Sequence, residues 1–271
     1  MNAKIKVPIL AYHHVLPVNA KVDESIKNSP FTISDAQFYE QMLFLSQNGY
    51  QPINFSQLLN SMEKLEVGKP IVITFDDGWV DNFEYAYPTL KAFGVSATFF
   101  VITGHVNSSG CMSWKQLNEM QNHNMEIASH THSHTPLELL SNSELQWELT
   151  HSKNLLDENI GKNSARLSFP HGSYSKIVLN AAKNAGYLSC ATSNFGYVTS
   201  SSKVYELPRI LMRKSHDISQ FVKVCEADKL SILKSKIIQK SKALLKSTVG
   251  IEKYQGLYKI RNRIKRPTAF D

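Results

Sequence analysis

Cysteine is scarce: the 271 residues hold three, Cys111, Cys190 and Cys225, widely spaced and without a Cys-x-x-Cys pair. An odd number at such spacing argues against a disulfide framework and a thiolate zinc site, so a reducing, cytoplasmic setting is expected. Long apolar runs are missing too. None approaches the roughly 18 residues that a membrane span requires. The opening "MNAKIKVPILAYHHV" has two lysines and a short apolar stretch, but that stretch meets two histidines before any small-residue cleavage site. It reads as a first strand and not as a signal peptide. Internal repeats and low-complexity segments are also absent.

Charge is sparse, at 20% Asp, Glu, Lys and Arg, and unevenly placed. Twelve of the basic residues and only two acidic ones fall after residue 228, so residues 1–228 carry −3 although the whole chain carries +7. Two parts are therefore expected: residues 1–228 as one domain and 229–271 as a basic tail, helical in part. Leu230, Leu233, Ile237 and Leu244 recur at helical spacing, with Lys229, Lys236, Lys240 and Lys246 mainly on the other faces. That pattern suits peripheral contact with an anionic membrane at its inner face. The first half of the tail lacks interleaved base-stacking aromatics, so nucleic acid is not an expected partner.

In the first part, β-rich runs alternate with helical patterns, as βα units of a parallel sheet do. The runs are "VPILAYHH", "IVITFDD", "ATFFVI", "EIASHT", "RLSFP", "LSCATS" and "LPRILM". Ser34 with Gln37, Ser113 with Gln116 and Ser141 with Glu144 have capping-box spacing ahead of helices. The fold class expected is α/β, with a length that one (β/α) barrel can use. The unusual polar residues cluster: His13 and His14, Asp76 and Asp77, His130 to His134, and Pro170 to Gly172 each end a strand. In a parallel barrel those ends form one face, where active sites are built.

Two of these clusters carry chemistry. "TFDDGW" sets adjacent carboxylates after a buried strand, and like charges share a dry site only with a cation or proton between them. Along an extended backbone the two side chains diverge unless the turn at Gly78 bends the chain. "IASHTHSH" offers three imidazoles; an extended segment would align His130, His132 and His134, whereas a helical turn would align His130 with His134. One carboxylate and two imidazoles suit zinc or a similar divalent ion, with a position left open for water.

Taken together, "TFDDGW", "ATFFV", "SWKQLNEM", "EIASHTHSH", "FPHGSY" and "AGY" resemble, in order and spacing, the polysaccharide deacetylase family, carbohydrate esterase family four, over about residues 7 to 213. The resemblance implies a distorted (β/α) barrel and a metal-dependent hydrolase that removes acetyl groups, chiefly N-acetyl, from sugars. It implies Asp76 as general base, Asp77, His130 and His134 as metal ligands, and His132 as a neighbour. In "FPHGSY" the family's arginine falls on Ser168 and its tyrosine on His171. The oxyanion-binding backbone N–H is thus expected at His171, within a frame of Pro170 and Gly172, while the arginine that orients the base has no obvious counterpart.

The family's late Leu-x-His motif falls on "LMR" (Leu211 to Arg213), and arginine is no proton donor at neutral pH. "ILAYHHV", however, resembles the start of the poly-N-acetylglucosamine deacetylase subgroup, in which an early histidine is the acid. His13 takes that role here, with His14 and His216 as alternatives. His14, Trp114, Pro170 and Tyr174 are expected to meet the sugar. Rival readings are a metal amidase or esterase acting on a small or lipid-linked molecule, and a barrel that binds sugar without turnover.

Overall fold

The computed structural model describes residues 6–62, 68–161 and 165–228. The basic tail expected at 229–271 lies outside the described residues. The chain runs β1 (Ile9–Tyr12), β2 (His14–Leu16), α1 (Glu24–Lys27), β3 (Thr32–Ser34), α2 (Asp35–Gln47), β4 (Tyr50–Ile53), α3 (Phe55–Ser61), β5 (Lys69–Phe75) and α4 (Tyr87–Ala92). It continues through β6 (Thr98–Val101), α5 (Trp114–Asn122), β7 (Glu126–Ser129), α6 (Asn142–Ile160), β8 (Arg166–Ser168), α7 (Lys176–Asn184), β9 (Ser189–Ala191), β10 (Ile210–Leu211) and α8 (Ile218–Cys225). None of the described helices is long and apolar enough to cross a membrane.

Every ladder in the main sheet is parallel, in the order β10-β1-β5-β6-β7-β8-β9, and β4 lies on the first half of β5. The curled sheet closes through one stretch of chain. Leu207 bridges to Ala191 beside β9, and three residues later Ile210 and Leu211 pair with Leu10 and Ala11 of β1. The result is the distorted (β/α) barrel that the alternating pattern predicts. All seven apolar runs contain a strand. The pattern does not reveal β3 or β4: β3 has three residues, and β4 is only partly buried and contains Pro52, which has no N–H to give a ladder.

Alternation along β5 shows how the barrel is filled. Ile71, Ile73 and Phe75 join Phe38, Met42, Leu90 and Met120 in the layer between sheet and helices. Val72 points the other way, into a second cluster with Ile9, Phe100, Ala128, Ala191 and Leu207, to which α3 adds Phe55 and Leu58. A period of two thus builds two separate cores from one strand. α3 earns its short length from a capping box between Asn54 and Gln57. Boxes also form at Ser113 with Gln116 and at Ser141 with Glu144. At Ser34 only half of the box forms, because the Gln37 side chain donates instead to the His216 carbonyl at 2.6 Å.

Phe75 is the last strand residue before the paired aspartates. Its ring stacks on Phe99 at 4.6 Å and on Tyr12 at 5.4 Å, with Phe38 edge-on. Phe75→Ala should cost about 3–5 kcal/mol of stability, the range for a buried aromatic truncated in a packed core. Urea unfolding followed by circular dichroism measures it.

Candidate active site

The C-terminal ends of β1, β5, β7 and β8 bring the candidate residues to one face. Asp76 follows β5 and is 3% exposed. At Asp77 the backbone takes φ = +77°, and this turn makes both carboxylates face one way, although adjacent side chains on a strand would diverge. Asp77 Oδ1 lies 3.4 Å from His130 Nε2 and 3.4 Å from His134 Nε2, while Asp76 Oδ2 is 4.0 Å from His130 Nε2. Thr131, His134 and His171 also have positive φ, so four non-glycine residues in or beside the site occupy a conformation that costs on the order of 1–3 kcal/mol each.

Packing determines which histidines converge. His130 Nδ1 is 2.8 Å from the Ser168 carbonyl; the nitrogen therefore carries the proton and leaves the Nε2 lone pair free. His132 turns out of the cluster, with Nδ1 3.1 Å from Thr103 Oγ1 and its ring against Trp147 and His151. Between them, Glu148 of α6 holds the loop. Its Oε1 accepts from the His132 N–H at 2.8 Å and the Ser133 N–H at 2.5 Å. Asp77, His130 and His134 are thus left with one ligand atom each, all within 4.8 Å of one another.

This donor set fits a divalent ion. One carboxylate oxygen and two imidazole nitrogens converge, the second nitrogen of His130 is fixed by a backbone carbonyl, and three protein ligands leave a position open. Electrostatics agree. Burial raises the Asp77 carboxyl, but the His130 hydrogen bond and the surrounding imidazoles bring it well below the usual carboxylate range. Burial and the neighbouring His130 push His134 down to about 3, which leaves it neutral with a lone pair available.

The arginine missing from the "FPHGSY" segment comes from elsewhere in the chain. Arg209, in the stretch that closes the barrel, is fully buried and makes a two-pronged pair with Asp76, Nη1 to Oδ1 and Nη2 to Oδ2, each at 2.7 Å. Its other donors reach the Thr192 carbonyl, Thr74 Oγ1 and Ser168 Oγ, the last at 2.8 Å. Ser168, which stands where the family motif has arginine, accepts from this one. Burial would raise the Asp76 carboxyl, but Arg209 and His130 bring it below the usual range. A charged residue inside the apolar run "LPRILM" was the signal available in the sequence.

The remaining candidates separate. His13 stacks on Phe31, whose ring also meets the Arg213 guanidinium at 4.7 Å, and His13 lies in the field of Asp77 and Asp76. Burial lowers its pKa and the two aspartates oppose that. His14, expected against the sugar, is instead buried, with Nδ1 2.6 Å from Asp81 Oδ2. His216 meets the charges of Arg213 and Asp217, not those of the paired aspartates. His171 is exposed, with its ring 4.6 Å from that of His134, and Pro170 before it is buried. Tyr174 stacks on Phe169 and its hydroxyl accepts from Asn194, whereas Trp114 packs on the main core at the start of α5. A cleft of about 860 Å³ opens at the other ends of the strands beside Asn54, Ser96 and Arg166, and holds none of these residues.

The site is thus an Asp77-His130-His134 cluster beside a buried, arginine-paired Asp76 at the C-terminal strand ends of a parallel barrel. The polysaccharide deacetylase family matches residues 64–189. YxkH of Bacillus subtilis (strain 168), a polysaccharide deacetylase by name, is 32% identical over 207 residues, 76% of this chain and 71% of its own. A poly-beta-1,6-N-acetyl-D-glucosamine N-deacetylase of Staphylococcus aureus (strain MRSA252) is 29% identical over 226 residues, 75% of this chain and 77% of its own. Among solved structures, the Streptococcus pyogenes deacetylase PplD in complex with acetate superposes with a TM-score of 0.76 at 26% identity, covering 82% of this chain and 99% of that one. The chain belongs to the polysaccharide deacetylase family.

Breaking the buried pair from one side should be costly. Arg209→Met leaves Asp76 without its counter-ion, and the expected loss of stability is about 3–5 kcal/mol. Arg209→Lys restores the charge but not the two-pronged geometry, so it should recover stability better than it recovers turnover. Thermal unfolding and hydrolysis of the same preparations separate the two effects.

Proposed function

We propose that the protein removes N-acetyl groups from a glycan of N-acetylated sugars, polymer or precursor, with a divalent ion held by Asp77 Oδ1, His130 Nε2 and His134 Nε2. The observation that carries this reading is the joint placement of that triad and the arginine-held Asp76 at one end of one barrel. Such an ion, zinc by the chemistry of its donors, would bring the pKa of a water to about 7 and polarise the acetyl carbonyl.

The protein's own groups supply the remainder. Asp76 takes the proton of the attacking water, and Arg209 keeps its carboxylate in one plane and ionised until then. The backbone N–H of His171 faces the oxygen on which negative charge develops, a role that any side chain at that position permits. His13 delivers a proton to the sugar nitrogen as the C–N bond breaks, because an amine anion does not leave unaided. Acetate and a free amino sugar result. The Staphylococcus aureus relative's named substrate, poly-beta-1,6-N-acetyl-D-glucosamine, supports an N-acetylglucosamine polymer as the first glycan to test.

Chelation should abolish acetate release from that polymer, and zinc should restore it. Asp77→Ala, His130→Ala and His134→Ala should each lose both the metal and the activity, while His132→Ala, whose ring turns to Thr103 and Trp147, should keep both. Full metal occupancy in His134→Ala, by elemental analysis, overturns the ligand assignment. Asp76→Asn should keep metal and lose about 10²–10⁴-fold in rate. It should also melt lower than the parent, since Asp76 is the counter-ion of Arg209.

His13→Ala should leave metal content unchanged and slow the amide far more than an activated acetyl ester, whose leaving group needs no proton. Equal losses on the two substrates would assign His13 to binding.

A further inference from the structure

His14 directly follows the candidate acid, yet it points away from the paired aspartates. Its imidazole is 8% exposed and lies flat on the indole of Trp79, with centroids 4.6 Å apart and planes 28° apart. That indole has one polar atom. Its Nε1–H donates to Asp77 Oδ2 at 3.0 Å, the oxygen that does not face His130 and His134. Behind His14, Asp81 accepts from three groups: His14 Nδ1 at 2.6 Å, the Val15 N–H at 3.0 Å and Asn82 Nδ2 at 2.8 Å. Asn82 Nδ2 also donates to the His13 carbonyl at 2.7 Å. The far side of Trp79 is tied down as well, through a bridge to Cys111 and a bond from the Val80 N–H to the Gly110 carbonyl.

We propose that Trp79, His14 and Asp81 form a strut that makes Asp77 a one-oxygen ligand and anchors the His13 peptide in the same frame. The inference rests on the metal-dependent reading above and deepens it by naming positioning residues for the ligand and for the acid. A carboxylate can bind an ion with one oxygen or chelate it with two. The indole N–H occupies Oδ2, so Oδ1 alone remains for the ion. Trp79 has no other hydrogen-bond donor on its side chain, and rotation about χ2 would break this bond. Stacking on His14 resists that rotation, and Asp81 fixes the ring on which Trp79 rests. Through Asn82 the same carboxylate holds the main chain of His13. The distance between the metal ligand and the proton donor is thereby set by one connected group of side chains, not by two loops moving separately.

Trp79→Phe is the direct test, because it keeps an aromatic ring against His14 and removes the N–H, although the smaller ring also gives up part of the indole's packing. Zinc affinity is measured by competition with a chromophoric chelator. Cobalt(II) replaces zinc as a probe of coordination number, since its visible absorption weakens as ligands are added. The expected result is a zinc affinity about 10–100-fold weaker, as for loss of other groups that orient a metal ligand, together with a changed cobalt spectrum as Oδ2 becomes free to chelate. His14→Phe, which keeps the stack and loses the bond to Asp81, should shift both readings in the same direction by less. If Trp79→Phe does not hold the fold, the same two readings on His14→Phe decide the matter. An unchanged cobalt spectrum with zinc affinity within twofold of the parent overturns the strut. If the intact protein binds neither ion, the metal reading itself falls and the strut falls with it.

Discussion

The buried pair between Asp76 and Arg209 is the interaction on which the rest of this structure depends. A guanidinium with no exposure and a carboxylate at 3% would each be prohibitive alone, and together they are stable only because every prong is met. Arg209 reaches Thr74 on β5, Ser168 on β8 and the Thr192 carbonyl after β9. β8 and β9 are paired, but β5 lies three places away from β8 in the sheet, so the contacts cross the interior and tie opposite parts of the barrel wall at the level of the site. The polar cost of a carboxylate placed inside a barrel is met by the same residue that holds the wall in place.

Local strain follows from that arrangement. Asp77, Thr131, His134 and His171 all adopt positive φ, and the surrounding bonds hold them there. Glu148 fixes the backbone of the histidine loop from α6, and the Ser168 carbonyl fixes the His130 ring from β8. Convergence of Asp77, His130 and His134 thus depends on groups that stand outside the cluster. Such supporting groups are where a site loses accuracy first when its surroundings change.

What the sequence discloses follows the range of the interaction. Strands such as "IVITFDD" and "EIASHT" are legible because burial on both faces demands unbroken apolar runs, and three of the helix starts are legible because capping acts over three residues. β4 is not, since a half-exposed "YQPI" has no pattern to set it apart. Within the site, the paired aspartates and clustered histidines are conspicuous by type and spacing. Arg209 is not: a charge inside the apolar run "LPRILM" marks it as unusual, but its partner is 133 residues away and nothing near it says which carboxylate it meets. His14 shows the opposite difficulty: it stands beside the active-site candidates in sequence, and only the bond to Asp81 reveals that it faces elsewhere.

The closing stretch of the barrel also bears on synthesis. Asp76, Asp77, His130 and His134 all leave the ribosome well before residue 209, so a growing chain carries these four residues for a long interval without the counter-ion of Asp76. During that interval Asp76 has no reason to stay dry. Only when Leu207 reaches Ala191 and Ile210 reaches Leu10 does the arginine arrive and the carboxylate become confined. Completion of the sheet and confinement of the Asp76 carboxylate are therefore one event, so a chain stalled or nicked before that point has Asp77, His130 and His134 but an Asp76 without its counter-ion.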